Sequence, residues 1–303
     1  MADILASDVN AIRQKIADTL GTGSGSYGYG QTIYSSSVSS GQRIEKSQWD
    51  AIRYDIVNVF IHQTGNTPSV VNVVSGDVIR DDPGYALHNY NYYADIGQNN
   101  RFDVATGQFS LLGDGDVPRL TGIDKSTSST WSNSAEATLT VTFSTSEEAR
   151  HFFNAGGKIR IETNLTGGSS SQAGAWTNLL STAGDQDFKG DIVVDNGFYT
   201  LTNTYKTYYS RAASTPYSSN TYQLKAKCNV ADNSAGTATT IDIKVELTDA
   251  YVDPGAPAPG DLVDGTLAIT VQELLPGGVL QPTGDPFTIT PPASYSMSAI
   301  SLS

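Results

Sequence analysis

The residues with the clearest chemical potential are four closely spaced aspartates, Asp185, Asp187, Asp191 and Asp195. Two carboxylates that converge on one cleft can cleave a glycosidic bond, one as the acid and the other as the base or nucleophile. Closeness in sequence does not give that convergence, and these acids fall in a predicted loop and the strand after it. The pattern favours a solvated acidic loop, with a bound calcium ion as an open alternative and catalysis as the less favoured one.

The three histidines and the single cysteine lie in no recognisable catalytic or metal-binding motif. A nucleophilic triad needs a histidine base near serine or cysteine, and the zinc motif His-Glu-x-x-His is absent. We expect His62 to complement the dipole at a helix C-terminus, and His88 and His151 to be structural. Cys228 lies on the apolar side of an alternating strand, so its thiol is expected to be buried and inert. The sequence therefore predicts no catalytic residues, no cofactor and no metal ligands.

Charge and hydropathy argue against two classes of partner. The formal net charge of -13 argues against a nucleic-acid partner, which usually faces a basic surface. No apolar stretch approaches the ~20 residues that a membrane span needs, so membrane insertion is not expected. The N-terminal residues lack the basic and apolar regions of a signal peptide, so we expect the protein to be made in a cytoplasm.

Two amphipathic helices are predicted near the N-terminus, over residues 7–20 and 47–62, each followed by a glycine. The glycine-rich residues 21–30 between them favour a turned connector over a phosphate cradle, because no Lys-Ser/Thr follows. Short helices of this kind need something to dock on. The predicted attachment interface comprises Val9, Ile12, Ile16, Leu20, Trp49, Ile52, Ile56 and Phe60.

An aromatic cluster follows at residues 85–93, within a region, residues 66–117, that is predicted to be an irregular connection. Tyrosine offers a large contact area with a polar tip and is common at interfaces. The cluster is therefore interpreted as a contact surface, for a protein partner in preference to a glycan. Its candidate contact residues are Tyr85, Tyr90, Tyr92 and Tyr93.

Residues 118–303 show the alternation of apolar and polar residues that is typical of antiparallel strands. Strands are expected near residues 136–143, 158–162, 191–194, 198–209, 222–230, 240–248 and 266–274, with a short helix after residue 145 and a proline-rich extended tail. The predicted fold class is mainly β. A short helical N-terminal segment, residues 1–65, precedes an antiparallel β-sandwich of the immunoglobulin-like or jelly-roll-like kind.

Several segments resemble virion structural proteins of large contractile-tailed phages, including those that infect cyanobacteria. The resemblance rests on Ala6–Arg13, Gly28–Gln31, Gln48–Arg53, Phe152–Gly157, Tyr251–Pro254 and Asp261–Leu267. It implies a particle component of the tail, baseplate or fibre apparatus, with other virion proteins and copies of itself as partners. The implied location is the virion, assembled in the host cytoplasm.

The sequence therefore predicts a non-enzymatic structural protein whose N-terminal helices attach it to the particle. The sandwich would make contacts between subunits or with the host. One alternative is a module that binds a host-surface glycan through its exposed aromatic residues, with Trp131 or Trp176 as further stacking faces. A polysaccharide-cleaving enzyme is the least favoured alternative, because no pair of carboxylates is identifiable.

Overall fold

The computed structural model describes residues 4–74, 77, 89–105, 107–108, 123–190, 197–252, 262–278, 280 and 282–303. Within these residues the chain is a mixed α and β protein, with five α-helices and ten strands in two antiparallel sheets. The expected antiparallel sheets are confirmed, whereas a mainly β chain is not, because helices recur beyond residue 65. The chain divides into two compact units.

Unit 1 comprises Met1–Asp116, Arg150–Gly157 and Leu275–Pro291. It contains α1 (Ala6–Leu20), α2 (Lys46–Thr64) and α3 (Tyr90–Asn99), and each of these helices contacts the other two. Unit 1 thus includes the predicted segment 1–65 and residues 66–116 of the predicted segment 66–117. None of the helices that the structure describes is long and apolar enough to cross a lipid bilayer.

The helix α2 is the most deeply buried helix of unit 1. It buries apolar and polar residues around much of its circumference. The buried polar residues are Asp55, Asn58, His62 and Gln63. A helix that carries a single apolar stripe would leave such polar residues exposed to water. Because buried polar groups need hydrogen-bond partners, α2 also determines how the surrounding loops are held.

The helix α3 was not predicted from the sequence. Asn89 caps its N-terminus, where the side-chain Oδ1 accepts a hydrogen bond from the Tyr92 backbone N–H at 2.9 Å. Gly97 permits the helix to pack closely on α2, since a Cβ at this position would lie 2.7 Å from Cγ1 of Val59. Its buried residues, Tyr90, Tyr93, Ala94 and Gly97, have the i, i+3, i+4, i+7 spacing of a helix.

Unit 2 comprises Val117–Ala149, Lys158–Leu274 and Pro292–Ser303, and the described strands of both sheets belong to it. One sheet has the order β1-β8-β3-β4. It is formed by β1 (Lys125–Thr127), β3 (Lys158–Thr166), β4 (Gln186–Phe188) and β8 (Thr266–Leu274). The other has the order β10-β2-β7-β6-β5, and β9 also pairs with β2. Its strands are β2 (Ser134–Thr142), β5 (Lys206–Ala212), β6 (Thr221–Cys228), β7 (Thr240–Thr248), β9 (Ser294–Met297) and β10 (Ser301–Leu302).

Alternating burial places one face of each long strand in the core, and β2 pairs with β7 over its whole length. The buried faces of the two sheets meet where the hydroxyls of Thr163 on β3 and Tyr222 on β6 lie 3.0 Å apart. Charged residues follow the outer face of the second sheet, as in the pair between Lys225 and Glu246 at 2.6 Å. This polar exterior is what the alternating sequence predicts.

The predicted strands agree with the structure to different extents. The expectations for residues 240–248 and 266–274 coincide with β7 and β8. The strand expected at 198–209 is wrong in its first half, because Phe198–Thr200 forms a 3₁₀ turn whose Phe198 carbonyl accepts a hydrogen bond from the Asn233 side chain. The strand expected at 191–194 lies outside the described residues.

Two further helices complete the five that the structure describes. The short helix expected after residue 145 is confirmed as α4 (Ser146–Asn154). The helix α5 (Ser171–Ala183) was not predicted, because its serine, threonine, asparagine and glycine residues have weak helix propensity. It is stabilised by the buried residues Trp176, Leu179 and Leu180 and by a Ser170 cap on the Ala173 N–H.

Candidate interaction surface

The predicted attachment residues lie in the core of unit 1 and not on its surface. Seven of the eight are at most 9 % exposed, and the eighth, Phe60, is partly buried against the same cluster. Six of them pack in one buried cluster with residues of α3 and with Val38 and Val70. The prediction that these side chains form an attachment interface is therefore corrected, because side chains already buried in their own unit offer no apolar area to a partner.

The tyrosines of the aromatic cluster separate into different environments. Tyr90 packs on Trp49, with ring centroids 5.1 Å apart, and Tyr93 packs edge-on against Phe60 at 5.7 Å. Burial raises the pKa of both phenols above the ordinary value, and neither ring presents a free face for stacking. Tyr92 is 40 % exposed, whereas Tyr85 lies outside the described residues. Among the described tyrosines of the cluster, Tyr92 is the one for which the contact role stays a prediction.

Tyr92 lies on α3 between Asn91 and Asp95, two polar residues that are joined to α1. Lys15 bonds to the Asn91 Oδ1 at 2.7 Å and to the Asp95 carboxylate at 2.5 Å. The Tyr92 ring lies edge-on to that of Tyr93, at 5.5 Å, which fixes its direction. We call Lys15, Asn91, Tyr92 and Asp95 the Tyr92 surface. An exposed, oriented aromatic residue beside polar groups is suited to a protein contact.

The glycine-rich residues 21–30 form a loop whose carbonyl oxygens face cationic and amide side chains. The Arg150 guanidinium donates to the carbonyls of Gly25 and Tyr27, both at 3.2 Å. The amide of Asn154 donates to the carbonyls of Gly25 and Gly28, also at 3.2 Å. A phosphate cradle directs backbone N–H groups at its ligand, whereas this loop presents acceptors. The sequence-based preference for a turned connector therefore agrees with the geometry.

Other polar side chains of unit 1 hold the irregular segment that follows this loop. The Asn10 amide donates to the Val38 carbonyl at 2.9 Å and accepts from the Val38 N–H at 2.8 Å. The Asp55 carboxylate accepts hydrogen bonds from the backbone N–H groups of Tyr34 and Ser35, both at 2.8 Å. Burial raises the pKa of Asp55, and these hydrogen bonds act in the opposite direction. The segment thus has a defined path without forming a helix or strand.

Two of the four clustered aspartates, for which catalysis was the less favoured alternative, are engaged by cations. The Asp187 Oδ1 accepts a hydrogen bond from the Arg160 Nε at 2.7 Å, and this bond raises the pKa of the guanidinium. Asp185 lies 3.5 Å from Arg160, and Lys158 lies 3.5 Å from Asp187. Cations at these distances compete with a calcium ion for the same oxygens. Asp191 and Asp195 lie outside the described residues.

The histidines and the cysteine occupy structural positions within the described residues. His62 is fully buried, and its Nε2 lies 2.8 Å from the Ala155 carbonyl, so the expected cationic role at a helix end is wrong. His151 Nε2 lies 3.0 Å from the Thr22 carbonyl, while His88 lies outside the described residues. Cys228 is buried, as expected, and burial raises the pKa of its thiol. No group of three or more potential metal ligands occurs in the part of the chain that the structure describes.

Trp131 and Trp176, considered as stacking faces for a glycan, instead pack on each other in unit 2. Their ring centroids lie 5.2 Å apart, and both side chains are at most 3 % exposed. A sugar ring needs an accessible aromatic face, which neither of them offers.

Comparisons with known proteins identify no relative from which a function could be inferred. No protein-family model matches the chain, and searches of curated proteins and of solved structures find no match.

Proposed function

We propose that the chain is a non-enzymatic structural component of a contractile-tailed phage particle, located in its tail, baseplate or fibre apparatus. The observation that carries the proposal is the use of polar side chains in unit 1, of which Asp55, Arg150 and Asn154 are buried. Asn10, Asp55, Arg150 and Asn154 bond to backbone groups of its loops rather than converging on a cleft. A component that is repeated in a particle needs a surface of fixed shape, and such bonds favour one.

The resemblance to phage structural proteins bears on the same unit. Four of its segments, residues 6–13, 28–31, 48–53 and 152–157, belong to unit 1. Two of them supply the side chains of Asn10 and Asn154 that hold the loops. The residues that carry the resemblance are therefore also residues that fix the shape of this unit.

The proposed partners are other virion proteins and further copies of this chain in a symmetric array, and the proposed location is the virion assembled in the host cytoplasm. The Tyr92 surface is the proposed contact on unit 1, in place of the buried helical stripes. For unit 2 we propose a sandwich of the immunoglobulin-like or jelly-roll-like kind, whose exterior contacts neighbouring subunits or the host. The chain crosses from one sheet to the other between β2 and β3 and again between β7 and β8. Such crossings are typical of these sandwiches and support the proposal.

The direct test is quantitative mass spectrometry of density-purified particles of the phage that encodes the chain. The expected result is a fixed ratio between this chain and the tail proteins, set by the symmetry of the tail. Absence of the chain from intact particles would overturn the proposal.

A second test addresses assembly of the purified full-length chain by mass photometry. We expect a symmetric oligomer that Tyr92→Asp weakens, because a charge replaces an aromatic contact. Leu5→Asp, at the N-terminus of α1 in the same unit, is the control, since Leu5 is 59 % exposed and a charge there also replaces an apolar side chain. A chain that stays monomeric at every concentration would contradict the self-assembly, and equal effects of the two variants would contradict the role of the Tyr92 surface.

A further inference from the structure

Unit 2 contains a cleft of about 320 Å³ between α5 and the segment that leads from the end of β5 into the next loop. Its helical wall includes Ser171, Gly174, Asn178 and Thr182, which lie three or four residues apart and so share one face of α5. The volume is at the lower end of the ~300–1,000 Å³ typical of small-ligand sites. It is therefore suited to a ligand of about one or two rings.

The chemistry of the walls indicates a polar ligand. Ser214 and Thr215 add hydroxyl groups opposite the helix, and Leu179 is the one large aliphatic side chain among the described lining residues. An apolar ligand would gain little from such walls, because few of its carbon atoms would leave water against an apolar surface. Hydroxyl and amide groups that line a cleft suit a ligand that carries many hydroxyls of its own.

Arg211 supplies a positive charge to this cleft. Its side chain is exposed and forms no hydrogen bond or ion pair with any residue that the structure describes, whereas Arg160 and Lys244 are paired with carboxylates. The planar guanidinium can bind a carboxylate through two parallel hydrogen bonds. A single arginine suits a ligand with one carboxylate better than a densely phosphorylated one.

Tyr217 is the aromatic residue among the described lining residues of the cleft, and its ring is held by a neighbouring ring. Its ring packs edge-on against that of Tyr251, with centroids 4.6 Å apart. The loop is closed by hydrogen bonds from the Ala213 N–H to the Asn220 carbonyl and from the Tyr217 N–H to the Ser214 carbonyl, both at 2.9 Å. The side chain of Asn220 also accepts hydrogen bonds from the N–H groups of Ala250 and Tyr251. Preorganisation of this kind lowers the entropic cost of binding.

We propose that this cleft binds a sugar unit that carries a carboxylate. Arg211 binds the carboxylate, the hydroxyl and amide side chains of α5 and the loop bind the sugar hydroxyls, and Tyr217 contacts the C–H face of the ring. The site differs from the aromatic cluster at residues 85–93. It also does not depend on the role of the chain in a particle, so either proposal can fail alone.

The test is a ligand-observed NMR titration of the full-length chain with methyl β-D-glucuronide, and with methyl β-D-glucoside as its neutral counterpart. We expect the glucuronide to bind about tenfold more tightly than the glucoside, because only the former offers a carboxylate to Arg211. Arg211→Gln should remove this preference. Lys125→Gln on β1, in the other sheet, removes the same charge and should leave the preference unchanged.

Gly174 offers a second pair of variants. A Cβ at this position would meet nothing within 4 Å, so Gly174→Ala fits the fold, and Gly174→Phe would place a ring at the wall of the cleft. We expect Ala to preserve binding and Phe to abolish it by occupying the cleft. Three results would overturn the proposal: equal binding of the two sugars, binding of neither, or binding of inorganic phosphate as tight as that of the glucuronide.

Discussion

His62 stacks on Phe287 in the core of unit 1, with ring centroids 3.9 Å apart and ring planes 17° from parallel. Tyr29 lies against the same imidazole, at 4.8 Å. Within the described residues the His62 Nδ1 has no hydrogen-bond partner, while Nε2 bonds to the Ala155 carbonyl. Burial lowers the pKa of His62 from 6.5 to about 4, so the imidazole is neutral at neutral pH.

The first prediction follows from this low pKa. Between pH 6.5 and 4 the unfolded chain binds a proton at His62 that the folded chain does not, so unfolding becomes easier as the pH falls. At pH 5 we expect His62 alone to lower the free energy of unfolding by about 2 kcal/mol relative to pH 7. Urea unfolding at the two pH values measures this difference.

The control for this prediction is His62→Gln, whose side chain does not titrate. It should be less stable than the parent at pH 7 and should lose less stability between pH 7 and 5. An equal loss in both proteins would show that other groups cause the pH dependence. An imidazole resonance of His62 that titrated near pH 6.5 would also contradict its burial.

The second prediction concerns Arg150, which is 7 % exposed and holds the glycine-rich loop. Arg150→Ala would remove the donor that bonds to the Tyr27 carbonyl and one of the two donors that bond to the Gly25 carbonyl. It should lower the free energy of unfolding by about 2 kcal/mol. Arg150→Lys should restore little, because an ammonium group lacks the fork that reaches two carbonyls at once. Hydrogen–deuterium exchange should increase in residues 21–30. Arg43→Ala, at an exposed position, is the control and should leave exchange unchanged.

The third prediction compares two glycines near or within α5. A Cβ at Gly168 would lie 2.4 Å from the Ala173 Cβ and 2.6 Å from the Asp264 carbonyl, so Gly168→Ala must displace backbone. We expect Gly168→Ala to lower the free energy of unfolding by about 2 kcal/mol. Gly174→Ala adds a methyl group in open space within a helix, so the free energy of unfolding should rise by about 0.5–1 kcal/mol. Thermal unfolding that ranked the two variants in the opposite order would contradict the packing described for α5.

The fourth prediction concerns the hydrogen bond between the facing sheets of unit 2. Tyr222→Phe removes the hydroxyl that bonds to Thr163, a residue only 4 % exposed. The free energy of unfolding should fall by about 1 kcal/mol. Tyr209→Phe is the matched control, because its ring packs on Tyr222 at 5.8 Å without a hydrogen bond from its own hydroxyl to a described residue. Equal chemical-denaturation midpoints for the two variants would show that the Thr163–Tyr222 bond adds nothing to stability.

The local pattern of the sequence determined the long strands and the first two helices. The strands β7 and β8 were placed at their observed ends, because the alternation of apolar and polar residues is itself the condition for burying one face of a sheet. The helices α1 and α2 were likewise recognised from apolar residues three and four positions apart. The helix α3 shows the same spacing at Tyr90, Tyr93, Ala94 and Gly97, a signal that the tyrosine-rich composition concealed.

The tertiary structure decided what these elements do, because burial depends on residues that are distant in sequence. An apolar stripe looks the same whether its own chain or a partner covers it, and in unit 1 the neighbouring helices cover Val9 and Trp49. His62 becomes neutral because Phe287, Tyr29 and Ala155 surround it. Arg211 and Gly174 border one cleft because the fold brings α5 beside the end of β5. No local pattern of residues contains this information.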